Sequence, residues 1–130
     1  KKATLMVIDD DNDIRKLIHR CLEGAGYQVL SAPDGAQGLL DIQNSEVDLL
    51  LLDLDLPRMN GPAIIAEVRR THPQLPIILV TGCQDSDLML QAYRHGPFML
   101  VPKPIDRETL LAAVRLTFEG SLNQKKRPQR

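Results

Sequence analysis

Five short apolar runs alternate along the chain with stretches of helical periodicity. Leu5–Ile8 is followed by Ile14, Leu17, Ile18, Cys21 and Leu22, a spacing that puts one apolar stripe on a helix, and Gly24 and Gly26 end it. Tyr27–Leu30 precedes a helix capped by Asp34, with Ala36, Leu39 and Leu40 facing inward. Val47–Leu52 is apolar except for Asp48; it reads as a strand covered on both faces and so takes the centre of a sheet. Asn60, Gly61 and Pro62 open a third helix carrying Ile64, Ile65 and Val68, and Pro73 and Pro76 bracket the return to Ile77–Val80. A fourth helix holds Leu88, Met89, Ala92 and Tyr93. Phe98–Val101 lies between Pro97 and Pro102, and because proline lacks the N–H that a ladder needs, this strand belongs at an edge. Leu110, Leu111, Val114 and Phe118 mark the last helix.

Strands and helices in strict alternation, joined by short connections, imply an α/β fold: a doubly wound five-stranded parallel sheet with right-handed crossovers and helices on both faces. Ligands of such folds bind beyond the carboxyl ends of the strands, where the strand order reverses. The residues able to do chemistry gather at those ends: Asp9 and Asp10 after the first run, Asp53 and Asp55 after the third, Thr81 after the fourth, Lys103 after the fifth. Each alone has an ordinary explanation. Asp11 or Asn12 can cap the first helix, Thr81 with Gly82 can make a turn, and Lys103 can be a solvated lysine between two prolines. Asp53 is harder to dismiss, because it ends a run of four leucines, where an uncompensated charge is costly. Together the residues point to a magnesium-assisted phosphoryl site: clustered carboxylates repel one another, and a hard cation that prefers oxygen ligands relieves the repulsion.

Composition narrows the class. The 130 residues, 43% of them hydrophobic, suffice for one domain with a true core. A formal net charge of -1 supplies no global field for nucleic acid or anionic lipid. Cys21 and Cys83 form neither a CxxC pair nor a disulfide framework, which suits a reducing compartment. With no apolar run near the ~18 residues of a membrane span and no leader pattern, the expectation is a cytoplasmic protein that does not enter a membrane. The first residue is Lys1 and not Met, so the chain reads as a piece of something longer. His19, His72 and His95 are scattered on helices or their ends and read as surface or boundary residues. Residues 1–119 are assigned to the domain and 120–130 to a polar, basic tail or linker. Its Lys125, Lys126, Arg127 and Arg130 could make at most four phosphate contacts, with no recognition helix beside them, so no direct DNA binding by this chain is expected.

The stretches LMVIDDD, LLLDLDLPRMNG, PIILVTG and VPKPID, in this order and spacing, resemble the four signature regions of the response-regulator receiver domain of two-component, or phosphorelay, signalling. The resemblance spans about residues 4–118 and implies the flavodoxin-like (βα)5 order 2-1-3-4-5. It implies that Asp53 accepts a phosphoryl group and that Mg2+ is held by Asp10 directly, by Asp9 through water, by Asp53 and by the backbone carbonyl of Asp55. Thr81 would hydrogen-bond a phosphoryl oxygen and Lys103 would pair with the group. The implied donor is a phosphohistidine on a sensor histidine kinase or histidine phosphotransfer protein. An output domain or effector protein would act downstream, with a second copy of the chain as a further candidate partner.

The chain departs from the family pattern where receivers commonly carry a rotating aromatic, which is Leu100 here, and after Gly96, where Pro97 replaces a small residue. Cys83 and Asp55 occupy positions that in the family tune the lifetime of the phosphoryl group. The Lys103-Pro104 bond is typically cis in receivers. Two other classes fit less of the chain. A haloacid-dehalogenase-like phosphatase would use Asp53 and Asp55 as its DxD pair, yet Pro57 stands where that motif has Thr or Val, and Asp9 and Asp10 would be idle. A docking module independent of phosphorylation would have no use for the full set of site residues.

Overall fold

The computed structural model describes residues 2–82, 85–96 and 98–126. Five strands alternate with five helices: β1 Thr4–Ile8, α1 Asn12–Gly24, β2 Gln28–Ala32, α2 Gly35–Asn44, β3 Leu49–Leu52, α3 Gly61–Thr71, β4 Ile77–Thr81, α4 Ser86–Tyr93, β5 Met99–Pro102 and α5 Arg107–Lys126. The strands pair in parallel in the order β2-β1-β3-β4-β5. The proline-flanked β5 is an edge strand, and β3 is the middle one.

Alternation along each strand divides the apolar residues between two cores. Met6, Ile8, Leu50, Leu52, Ile77 and Leu79 pack with Ile42, Ile64, Ile65, Val68 and Ala92, so α2, α3 and α4 cover one face. Leu5, Val7, Leu49, Leu51, Ile78, Val80 and Val101 pack with Ile18, Cys21, Leu22, Leu110 and Val114, so α1 and α5 cover the other. No strand residue of β3 keeps any exposure. No helix among the described residues is long and apolar enough to cross a membrane.

Local chemistry sets the element ends. Asp11 caps α1 by accepting from the N–H groups of Asp13 and Ile14, Asp34 caps α2 through Gln37, and Asn60 caps α3 through Ala63. Gly26, at φ 97°, supplies the left-handed residue beyond α1. The second and fifth strands run Gln28–Ala32 and Met99–Pro102, one or two residues beyond the runs read as Tyr27–Leu30 and Phe98–Val101, and three further departures from the sequence expectation concern the third strand, α2 and α5. The third strand begins at Leu49, because the Asp48 carboxylate takes the N–H of Thr4 at 2.8 Å, replacing a ladder carbonyl with a side chain. On α2 the inward face is Gly35, Gly38 and Ile42, with Leu39 partly buried against the same core as expected; Ala36 is exposed and Leu40 half exposed. The helix lies so near the sheet that a Cβ on Gly38 would stand 2.3 Å from Ile8 Cδ1, so a larger residue there would have to displace the end of the Ile8 side chain. Finally, α5 continues as helix past Phe118 to Lys126, through part of the segment assigned to the tail. Arg127 and Arg130 lie outside the described residues.

Candidate functional site

The order of strands reverses between β1 and β3, and the acidic residues emerge there. Ile8 is paired with Leu52, so Asp9 and Asp53, each one residue further on, are neighbours across the sheet. Thr81 pairs with Pro102, and Lys103 follows. The ladder itself holds these positions. Asp9 N–H donates to the Ala32 carbonyl, Asp53 N–H to Ile8 and Lys103 N–H to Thr81, at 3.0–3.2 Å. Each functional side chain therefore starts from backbone fixed by a neighbouring strand.

Asp53 is 5% exposed and sits at the hub. Its Oδ1 accepts from the Thr81 hydroxyl and from the Asp55 N–H, both at 3.1 Å. Its Oδ2 accepts from Lys103 Nζ at 3.1 Å. The same ammonium lies 2.8 Å from Asp9 Oδ2, which is buried and accepts no directed hydrogen bond from the described residues. Asp9 Oδ1 takes the Asp11 N–H at 2.9 Å. Asp10 is exposed at the rim, and ligand atoms of Asp9, Asp10 and Asp53 lie within 4.8 Å of one another.

Burial pushes the Asp9 carboxyl above its ordinary value of 3.8, and the charge of Asp53 adds to the rise; contact with Lys103 and the Asp11 N–H offset only part. Burial alone would lower Lys103, but the contacts with Asp9 and Asp53 and their charges outweigh it and hold the ammonium charged above 10.5. Three carboxylates facing one ammonium leave two formal negative charges in excess. That excess, the all-oxygen donor set and the Asp9 oxygen held by charge alone fit a hard divalent cation, and Asp9, Asp10 and Asp53 are the side chains that would hold it.

The loop from Leu54 to Asn60 returns against this site. Gly61 N–H donates to the Leu54 carbonyl at 2.9 Å, and a Cβ on Gly61 would stand 2.5 Å from Leu54 Cα, so the loop closes only on glycine. Asp55 is exposed and meets Asp53 through its backbone N–H. The Lys103-Pro104 bond is cis. Leu100, on β5, is 40% exposed, while Cys83 and Pro97 lie outside the described residues. His19 pairs with Glu23 at 3.6 Å, His72 follows α3 as its C-cap and His95 is exposed; none enters the pocket.

One participant was not singled out from the sequence. Arg15 Nη1 donates to the Asp9 carbonyl at 2.6 Å, and Nη2 to Asn12 Oδ1 at 3.1 Å. The only sequence signal was its position in the first turn of the helix that follows the aspartates.

A doubly wound parallel sheet with an acidic pocket and a lysine at its switch point places the chain among the α/β domains that bind their ligands beyond the carboxyl ends of the strands. The model of the response regulator receiver domain matches residues 5–115, and the chain belongs to that family. It is 35% identical to the DNA-binding transcriptional regulator NtrC of Escherichia coli (strain K12) over 88% of this chain and 24% of that protein. It is 31% identical to the C4-dicarboxylate transport transcriptional regulatory protein DctD of Rhizobium meliloti (strain 1021), over 86% of this chain and 24% of that protein. The chain thus spans about a quarter of the length of the curated relatives it matches. Among solved structures, a CheY-like response regulator receiver domain protein from Methanospirillum hungatei JF-1 superposes with a TM-score of 0.90 at 25% identity, over 95% of this chain and 99% of that one. NtrX from Brucella abortus gives 0.88 at 27% identity, over 97% of this chain and 29% of that one.

Proposed function

We propose that this receiver domain takes a phosphoryl group onto Asp53 from a phosphohistidine on a partner kinase or phosphotransfer protein and passes the signal to an output domain or effector. The observation that carries the proposal is the set of partners already around the Asp53 carboxylate: a hydroxyl and a backbone N–H on one oxygen, an ammonium on the other. These are the groups needed where charge spreads over the oxygens of a transferring phosphoryl group.

An Asp53 oxygen attacks phosphorus in line. The O–P bond forms as the P–N bond of the phosphohistidine breaks, and the electron pair returns to the imidazole nitrogen, which takes a proton from solvent. Thr81 and Lys103 turn from the carboxylate to the transferred oxygens, a short change for a rotating hydroxyl and a flexible ammonium. Asp9, Asp10, Asp53 and the Asp55 backbone carbonyl would hold Mg2+, which would supply charge neutralisation. Lys103, tied to both Asp9 and Asp53, keeps the pocket assembled between transfers. Asp55, exposed at the rim, stands at a position that in the family tunes the lifetime of the phosphoryl group, and Leu100, exposed on the edge strand, stands where receivers commonly carry a rotating aromatic. The activity is self-directed acceptance and loss of one phosphoryl group, with no turnover of a free substrate, in the cytoplasm where such a donor resides.

The phosphatase reading requires the Asp55 carboxyl to act as acid and base beside Asp53, whereas Asp55 reaches Asp53 through its N–H. Incubating the chain with acetyl phosphate and Mg2+ separates the readings. The receiver gains the mass of one phosphoryl group, and Asp53→Asn gains none. Sustained multiple-turnover hydrolysis of unrelated phosphomonoesters would favour the phosphatase, and no modification of wild type would leave only the docking module.

A further inference from the structure

We infer that Arg15 is a positioning residue for the metal-binding aspartates, acting on the peptide unit that joins Asp9 to Asp10. The inference rests on the phosphoacceptor reading above and deepens it.

The side chain of Asp9 is fixed twice, by the Asp11 N–H on Oδ1 and by Lys103 at Oδ2. Among the described residues nothing fixes the Asp10 side chain in this way: it is exposed, and its carboxylate belongs to the ligand cluster through where its backbone points it. That direction is set by the peptide plane shared with Asp9, because the C–N bond is rigid and the carbonyl of Asp9 and the nitrogen of Asp10 turn together. Arg15 grips this carbonyl at 2.6 Å. Its second nitrogen is held by Asn12 Oδ1 at 3.1 Å, so the planar fork is fastened at both tines and the guanidinium is not a freely moving surface cation. The helix that carries Arg15 is in turn capped by Asp11. The strand-to-helix link of three aspartates is therefore tied from the helix side at its first peptide, independently of the pocket side, where Lys103 does the work.

An electrostatic role and a positioning role predict opposite signs. A guanidinium beside the cluster repels a divalent cation, so if charge were its main effect, neutralising it would tighten metal binding. If it holds the Asp9–Asp10 peptide, removing it loosens binding. Residues that orient metal ligands typically change affinity by about 10–100-fold when removed.

The test is a Mg2+ titration of the whole chain by calorimetry, with amide chemical shifts of residues 9–11 as a second readout. Wild type is compared with Arg15→Ala, Arg15→Gln, Arg15→Lys, Asn12→Ala and Asp10→Asn. We expect Arg15→Ala and Arg15→Gln to weaken Mg2+ binding by about tenfold or more. Arg15→Lys, which keeps the charge but not the fork, should fall between them and wild type, and Asn12→Ala should lose a few-fold. Gln is a good helix former, so Arg15→Gln guards against loss of α1 itself. Unchanged or tighter binding in both neutral variants, with or without a lower Tm, overturns the inference while Asp10→Asn still loses affinity. Wild-type affinity in Asp10→Asn overturns the metal-site reading and the inference with it.

Discussion

Asp9 is ionised against the preference of its surroundings, since burial and the nearby Asp53 charge raise its carboxyl above 3.8 and Lys103 offsets only part of this. The folded protein then binds this proton more tightly than the unfolded chain does. The Asp9 contribution to stability accordingly grows as pH falls from above the raised value towards 3.8, and is lost as pH rises through that window. Lys103 works in the opposite range: its raised value makes its contribution fully present below 10.5 and lost only as pH rises through the folded value, so it does not vary in the acid window. In metal-free buffer at neutral pH, Asp9→Asn should be more stable than wild type, and the difference should shrink as pH falls towards about 4. Urea denaturation of both proteins across that range checks this. A difference that does not change with pH would mean that Asp9 ionisation is not what separates them. Asp9, Asp53, Thr81 and Lys103 were legible in the sequence because each follows an apolar run. Arg15 was not, since a charged residue on an amphipathic helix looks like any solvated one, and the group it serves is a backbone carbonyl that no residue code records.

The helices α2 and α3 show what hydrophobic periodicity misses. On α2 the pattern placed Ala36 and Leu40 inward, but Gly35 and Gly38 make the approach to Ile64 and Ile8, and glycine carries no hydrophobic signal. Gly61 was legible as a helix opener, although its tighter constraint, the Leu54 backbone, became visible only in three dimensions. The α5 extension to Lys126 was hidden because the apolar stripe stops at Phe118. These contacts rank two substitutions. Gly38→Ala meets the far end of the Ile8 side chain, whereas Gly61→Ala meets backbone at Leu54 Cα, which cannot rotate away. Gly61→Ala should therefore cost the more, about 1–3 kcal/mol, and should also displace the loop carrying Asp55. Denaturant midpoints of the two variants test the order, and a larger loss for Gly38→Ala would contradict it.

The architecture as a whole was legible because an all-parallel sheet imposes continuous apolar strands, and five of them in alternation with helices leave little freedom in topology. The site was legible for the same reason: residues far apart in sequence become neighbours when they follow strands in register, as Asp9 and Asp53 do beyond Ile8 and Leu52. Periodicity could not supply the strand order, which came from the family resemblance and agrees with the observed β2-β1-β3-β4-β5. Asp53, at the carboxyl end of the middle strand, is the proposed phosphoacceptor. An acyl phosphate is reduced by borohydride to an alcohol, converting the modified aspartate to homoserine, so the acceptor can be read by peptide sequencing. After phosphorylation and reduction, homoserine at position 53, dependent on Mg2+ and absent from Asp53→Asn, is the result predicted. Homoserine at position 9, 10 or 55, or at none of them in a protein that has gained phosphate, would contradict the account.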